Sequence, residues 1–142
     1  RCFGADAQKE TFLLSNICPQ APNLNQKVWE KLEKDELDYA DADGEIWIID
    51  GPIFADLNGG DTRTLPAGIA VPSAFYKILI EDQNNTPHTV AVNMPQSVKG
   101  TELPQQFTTS IQPIQPQTHL QFLPNLPPAT REKLLNTAWP MW

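Results

Sequence analysis

Proline placement sets the first limit on what this chain can fold into. Fourteen of the 142 residues are proline, and nine of those lie at or beyond Pro87. That total is about twice the usual share of roughly 5%. Proline removes a backbone donor and clashes with the preceding helical turn, so the C-terminal third is expected to hold short strands, turns and extended connections. Residues 95–130 read as extended and Pro-broken, with one short helix over 129–136.

The regular elements should therefore concentrate in the first two-thirds. Residues 11–18, with Phe12, Leu13, Leu14 and Ile17, read as a strand that Pro19 and Pro22 terminate. Asn23 or Asn25 then supplies a cap for a helix reaching about residue 40, with Val28, Trp29, Leu32 and Leu37 at helical spacing. A turn at 41–44 leads into an apolar, buried strand over 45–50, and Gly51-Pro52-Ile53-Phe54 leaves it for a Gly-rich loop at 58–61. Residues 71–81 and 89–94, joined by a turn at 82–86, read as an antiparallel pair. The fold class is α+β, and the length suits about one domain able to bury roughly two-thirds of its extended surface.

The formal net charge of −7 argues against broad electrostatic attraction to nucleic acid. Six of the 17 acids fall between Asp35 and Glu45, however, so the bias is partly local and one site can differ from the mean. Cys2 and Cys18 permit one disulfide or two buried thiols, and their spacing resembles no metal motif. No run approaches the roughly 18 apolar residues of a membrane span. The chain starts at Arg1 rather than Met, which reads as a processed or truncated start.

Few residue patterns here carry chemistry. Asp41-Ala-Asp-Gly44 imitates a calcium loop, but the register places Tyr39 at the first ligand position. Asn58-Gly-Gly-Asp61 lacks the Lys and Ser/Thr that a phosphate-cradling loop needs. Asn25 and Glu33 are eight residues apart, which on a regular helix means about 80° in direction and about two turns in height, with Trp29 between them on one broad face. An Asn carbonyl oxygen is a hard ligand suited to Mg²⁺, which keeps several waters and takes one or two protein ligands. Glu33 then accepts from water around the ion. The alternative stays open on spacing alone: Asn25 caps a helix and Glu33 is a solvated surface acid.

Six blocks along the chain sharpen this. Phe12-Leu-Leu-Ser-Asn16-Ile-Cys-Pro-Gln20 is followed by Asn25-Gln-x-x-Trp29-x-x-Leu-Glu33. Then come Ile46-Trp-Ile-Ile-Asp-Gly-Pro-Ile-Phe54, Val71-Pro-x-Ala-Phe-Tyr-Lys77, Val92-Asn-Met-Pro95 and Phe122-Leu-Pro-Asn125-Leu. Together they resemble the DNA/RNA non-specific endonuclease family, which includes secreted bacterial nucleases and mitochondrial endonuclease G and has the ββα-metal fold. The resemblance implies an antiparallel sheet with a metal-site helix. It also implies an endonuclease that hydrolyses DNA and RNA phosphodiester bonds to 5′-phosphate ends with Mg²⁺ or Mn²⁺. Asn25 matches the family's metal-binding Asn, and Asn16 and Glu33 match polar residues around the metal and its waters. Recognition goes largely to the nucleic-acid backbone, with a homodimer as a candidate assembly and no membrane partner. The family habit implies a secreted, periplasmic or organellar setting.

Two departures qualify the resemblance. The family's general base lies in an Asp-Arg-Gly-His motif that this chain does not contain, and His88 and His119 have neither the neighbours nor the place to substitute. A basic residue one turn beyond the family's Glu is replaced by Leu37, leaving Lys27, Lys31 and Lys34 as candidates for phosphate contact. The expectation is that residues 1–142 form the C-terminal portion of one nuclease domain, with the histidine on an N-terminal fragment of the same protein. The competing expectation is a non-catalytic interaction or nucleic-acid-binding module on the nuclease fold. Retention of Asn16, Asn25 and Glu33 as a set argues against it.

Overall fold

A four-stranded antiparallel sheet in the order β1-β2-β3-β4 organises the molecule. The computed structural model describes residues 17–54, 63–66, 68–83 and 86–141. The strands are β1 (Trp47–Ile53), β2 (Ala74–Gln83), β3 (Thr86–Pro95) and the two-residue β4 (Thr108–Thr109). The helices are α1 (Glu30–Asp43), entered through a π-helical turn at Leu24–Trp29, then α2 (Ile114–Thr118) and α3 (Pro128–Asn136).

Alternation along the long β2–β3 pair divides the core between two faces. Phe75 and Leu79 of β2 and Val90, Val92 and Met94 of β3 meet Leu24, Val28, Trp29 and Leu32 of the helical segment. On the opposite face Tyr76, Ile78 and Ala91 meet Ile111, Ile114, Phe122 and Leu135. Period-2 side-chain direction forces this division, and each fully buried aliphatic side chain contributes about 1.5–3 kcal/mol.

Several expectations hold. The hairpin exists with the expected pairing, although its first strand is shifted to Ala74–Gln83 and its second runs longer, and the last helix begins one residue early at Pro128. Other readings need correction. The long helix continues to Asp43, and Gly44 closes it at φ 86°, donating its N–H to Ala40 O at 3.0 Å. A left-handed residue after the last turn is where glycine carries least penalty, so Asp41-Ala-Asp-Gly44 is a helix end. Neither asparagine caps the helix through its side chain; instead Leu24 and Asn25 donate their N–H groups to Ala21 O at 2.9 and 2.8 Å.

The strand expected to be buried over 45–50 starts at Trp47 and runs through Gly51 and Pro52. It pairs only with β2 among the described residues, leaving Trp47 and Ile48 half exposed. An apolar run shows that a strand is wanted, not how many neighbours will cover it. Pro52 is tolerated because an edge strand has one unpaired side. The stretch expected to be extended carries α2, a 3₁₀ turn at Pro104–Phe107 and β4. Most of the first expected strand (11–16), the Gly-rich loop at 58–61 and Cys2 lie outside the described residues; Cys18 is a free thiol.

Gly51 lets β1 approach the second aromatic of β2. A Cβ built there stands 3.0 Å from Tyr76 Oη and 3.1 Å from its Cε1. Gly51→Ala should therefore lower stability by about 1–3 kcal/mol by overpacking. A denaturant midpoint equal to wild type would show that the ring moves freely.

Candidate active site

The π turn decides where Asn25 points. A regular helix advances about 100° per residue, and a turn closed by i→i+5 bonds advances about 82°. Four steps of the first kind and four of the second bring Asn25 and Glu33 to within roughly 10° of each other, instead of roughly 80°. Burial agrees with that geometry: Leu24, Val28, Trp29 and Leu32 form one buried stripe, whereas Asn25 and Glu33 are both exposed. Regular winding would have placed Asn25 inside the buried stripe. The expectation that Trp29 shares their face is corrected, because Trp29 is 6% exposed and turned to the core.

Asn25 is oriented by a neighbour. Its Nδ2 donates to Gln20 Oε1 at 2.6 Å, which leaves Oδ1 as the acceptor end. Gln20 sits in a turn that the side chain of Gln96 holds from 75 or more residues away. Ala21 N donates to Gln96 Oε1 and Gln96 Nε2 donates to Pro19 O, each at 2.7 Å. One amide thus ties down the segment that enters the helix.

Beside this turn lies a cleft of about 400 Å³ lined by Cys18, Gln20, Trp29, Asp50, Gly51, Pro52 and Phe75. Trp29 and Phe75 meet edge to face, with centroids 6.0 Å apart and planes at 68°. The Lys77 ammonium stands 4.6 Å from the Trp29 ring centroid. That ammonium is 3% exposed and pairs with Glu36 at 2.8 Å. Burial pushes the Glu36 carboxyl above its ordinary range; the Lys77 hydrogen bond and charge pull it down, while Glu33 and Asp50 push it further up. Asp50 faces Lys77 across the β1–β2 register. The buried cation is therefore neutralised by Glu36, whose carboxyl also feels the charges of Glu33 and Asp50. Burial raises the Tyr76 phenol as well, with a smaller contribution from Asp50.

Among the described residues no three His, Cys, Asp or Glu side chains converge as a metal cage. The donors that remain fit a hard divalent ion that keeps most of its water: one oriented amide oxygen, with a carboxylate on the same stripe. Asn16, the third expected site residue, lies outside the described residues.

Both histidines are elsewhere. His88 stacks on Trp139 at 4.5 Å and 16°, with Nδ1 3.6 Å from Glu81. His119 follows α2 with φ 56°. Of the helix lysines expected as candidates for phosphate contact, Lys31 is tied to a distant loop, whereas Lys27 and Lys34 are exposed. Lys31 donates to Glu102 O at 3.1 Å, Lys34 pairs with Glu30 at 3.1 Å, and Lys27 lies along Gly100. Sequence reasoning missed Glu36, Lys77, Gln96 and the role of Gln20. Only Gln20, five residues before Asn25, carried a local signal.

With this geometry in place, the comparisons with known proteins agree on one family. A family model of DNA/RNA non-specific endonucleases matches residues 1–129. Human mitochondrial endonuclease G is 30% identical over 129 residues, covering 84% of this chain and 43% of that protein. Human mitochondrial nuclease EXOG is 27% identical over 137 residues, covering 87% and 37%. A Nostoc nuclease is 26% identical over 127 residues, covering 83% and 44%. The chain thus spans under half the length of these relatives. A crystal structure of an EndoG/EndoGI complex shares the fold at a TM-score of 0.69 and 20% identity, over 89% of this chain and 54% of that one.

Proposed function

Because the chain belongs to the DNA/RNA non-specific endonuclease family, we propose that it carries the metal-holding part of a nuclease active site, whose general base is supplied from outside residues 1–142. The protein it serves would hydrolyse DNA and RNA backbones to 5′-phosphate ends. The observation that carries this reading is that Asn25 and Glu33 are both exposed on the helical segment, with the Asn25 amide nitrogen held by Gln20 and its carbonyl oxygen left as acceptor.

The family implies a divalent cation, and Mg²⁺ suits this donor set best, with Mn²⁺ a close substitute. Asn25 Oδ1 would hold the ion, and when bound it supplies charge stabilisation at the phosphate and leaving oxygen. Glu33 orients water at the site, while Gln20 keeps the Asn25 amide from rotating. Trp29 and Phe75 form an apolar wall beside it, which lowers the local dielectric and strengthens each charge interaction. Neither described histidine reaches this cleft, so the proton from the attacking water goes to a base supplied by an N-terminal segment of the same protein. A histidine there would supply about 10²–10⁴-fold.

An organellar setting follows the named mitochondrial relatives. Among the described residues no helix is long and apolar enough to cross a membrane. A second copy of the chain remains part of the proposal only as a candidate homodimer.

The test is degradation of plasmid DNA and of RNA by the full-length protein with Mg²⁺, with and without EDTA. We expect cleavage of both substrates, abolished by EDTA. Binding of nucleic acid without cleavage would favour the non-catalytic module instead.

A further inference from the structure

Beside the cleft walled by Gln20, Trp29 and Phe75 lies a groove lined in part by Arg63, a cation without an ion pair among the described residues. Gln20 lines the cleft, and it also lines a hollow of about 180 Å³ shared with Arg63 and Gln96. Next to it is another of about 330 Å³, also walled by Arg63 and Gln96 and lined in addition by Ser73 and Ser97. The cleft and the first hollow have Gln20 as a common wall, and the two hollows share Ala21, Arg63, Val71 and Gln96, so the three lie next to one another.

Arg63 is held at its backbone and exposed at its side chain. Its carbonyl accepts from Val71 N at 2.8 Å, and Thr64 bridges Ala70. Most other described cations are committed. Arg131 donates to Phe122 O at 3.0 Å and Gln115 Oε1 at 3.2 Å. Lys77 is buried against Glu36, Lys34 pairs with Glu30, and Lys133 stands 5.7 Å from the Trp139 ring centroid. Among the described residues no carboxylate lies within ion-pair distance of Arg63.

The chain carries a net −7, so long-range attraction does not draw a polyanion to it, and contact must come from local charge. A guanidinium presents a planar fork of donors that matches phosphate oxygens two at a time. We propose that Arg63 clamps a backbone phosphate of the nucleic-acid strand lying in this groove, away from the bond being cleaved. This rests on the nuclease reading above. Arg63 is a binding residue; it steadies the strand whose scissile phosphodiester lies at Asn25. Gln96 serves only as wall, since both ends of its amide are used on Pro19 and Ala21.

The test is the salt dependence of duplex DNA binding by full-length Asn25→Ala protein, with and without Arg63→Gln. Lys133→Gln serves as a control that removes a charge outside the groove. Losing one phosphate contact should lower the slope of log K against log salt by about 0.9 and weaken binding several-fold at low salt. Arg63→Lys should keep the slope while weakening binding, because it retains the charge and loses the fork. Lys133→Gln should leave the slope alone. An unchanged slope in Arg63→Gln overturns the clamp while leaving the nuclease reading intact. Absence of both binding by the Asn25→Ala protein and cleavage by wild type overturns both.

Discussion

Asn25→Ala in the full-length protein is expected to lose about 100-fold or more in kcat/KM, with little change in stability. The proposed site offers one protein oxygen to the metal, and metal charge stabilisation is worth several kcal/mol, at about 1.4 kcal/mol per tenfold in rate. The side chain is exposed and makes no helix cap, so its removal leaves the fold's packing untouched. Gln20→Ala should cost less, about 10- to 100-fold, since groups behind a ligand typically matter by that factor. The two losses should not add, because Gln20 acts through Asn25. Divalent-ion titration of cleavage separates the roles: Gln20→Ala should recover at high Mg²⁺, and Asn25→Ala should not. Wild-type rates from Asn25→Ala would remove it from the site.

The second large effect falls on stability. Lys77→Met should destabilise by about 3–5 kcal/mol, the usual result of leaving a buried carboxylate without its partner. Glu36 is 8% exposed and Lys77 3%, so neither has water to fall back on. The pH dependence follows from sign. Burial already raises the folded Glu36 carboxyl above its ordinary range, and Lys77 is the group that restrains it. A raised carboxyl contributes stability that is present below its unfolded value and lost as pH rises through the folded value. Removing Lys77 raises it further, so the deficit should be greatest near neutral pH and shrink on acidification. Lys77→Met combined with Glu36→Leu should recover most of the loss, because a packed apolar pair often matches a buried ion pair. Urea unfolding at several pH values measures all three. A deficit independent of pH would mean that lost packing over Trp29, not the stranded charge, is the cause.

Much of this was legible in the chain itself. Alternating apolar residues in 71–81 and 89–94 specify the central hairpin, because a strand has only two faces and one wrong step exposes every core residue. The 3.6-residue spacing of Val28, Trp29 and Leu32 specifies the helix and its buried side. Asn25 and Glu33 were singled out for the proposed site by residue chemistry and by the family blocks around them.

The rest depends on contacts between residues far apart in the chain. Gln96 holds a turn more than 70 residues away, and Lys77 meets Glu36 across the helix–sheet interface. Nothing local marks either, since a polar residue in a strand reads alike whether it faces water or a buried partner. Trp47 and Ile48 failed as core residues for the same reason: neighbours on the free edge of β1 decide their cover.

By itself, then, the sequence determined the long helix, the central hairpin and their buried faces, because these follow from periodicity, and side-chain chemistry singled out the two residues proposed to serve an ion. Tertiary structure alone decided that the helix would widen by one π turn, so that Asn25 leaves the core stripe and joins Glu33. It is packing of Leu24, Val28, Trp29 and Leu32 against Phe75, Leu79 and Met94 that demands that change of phase.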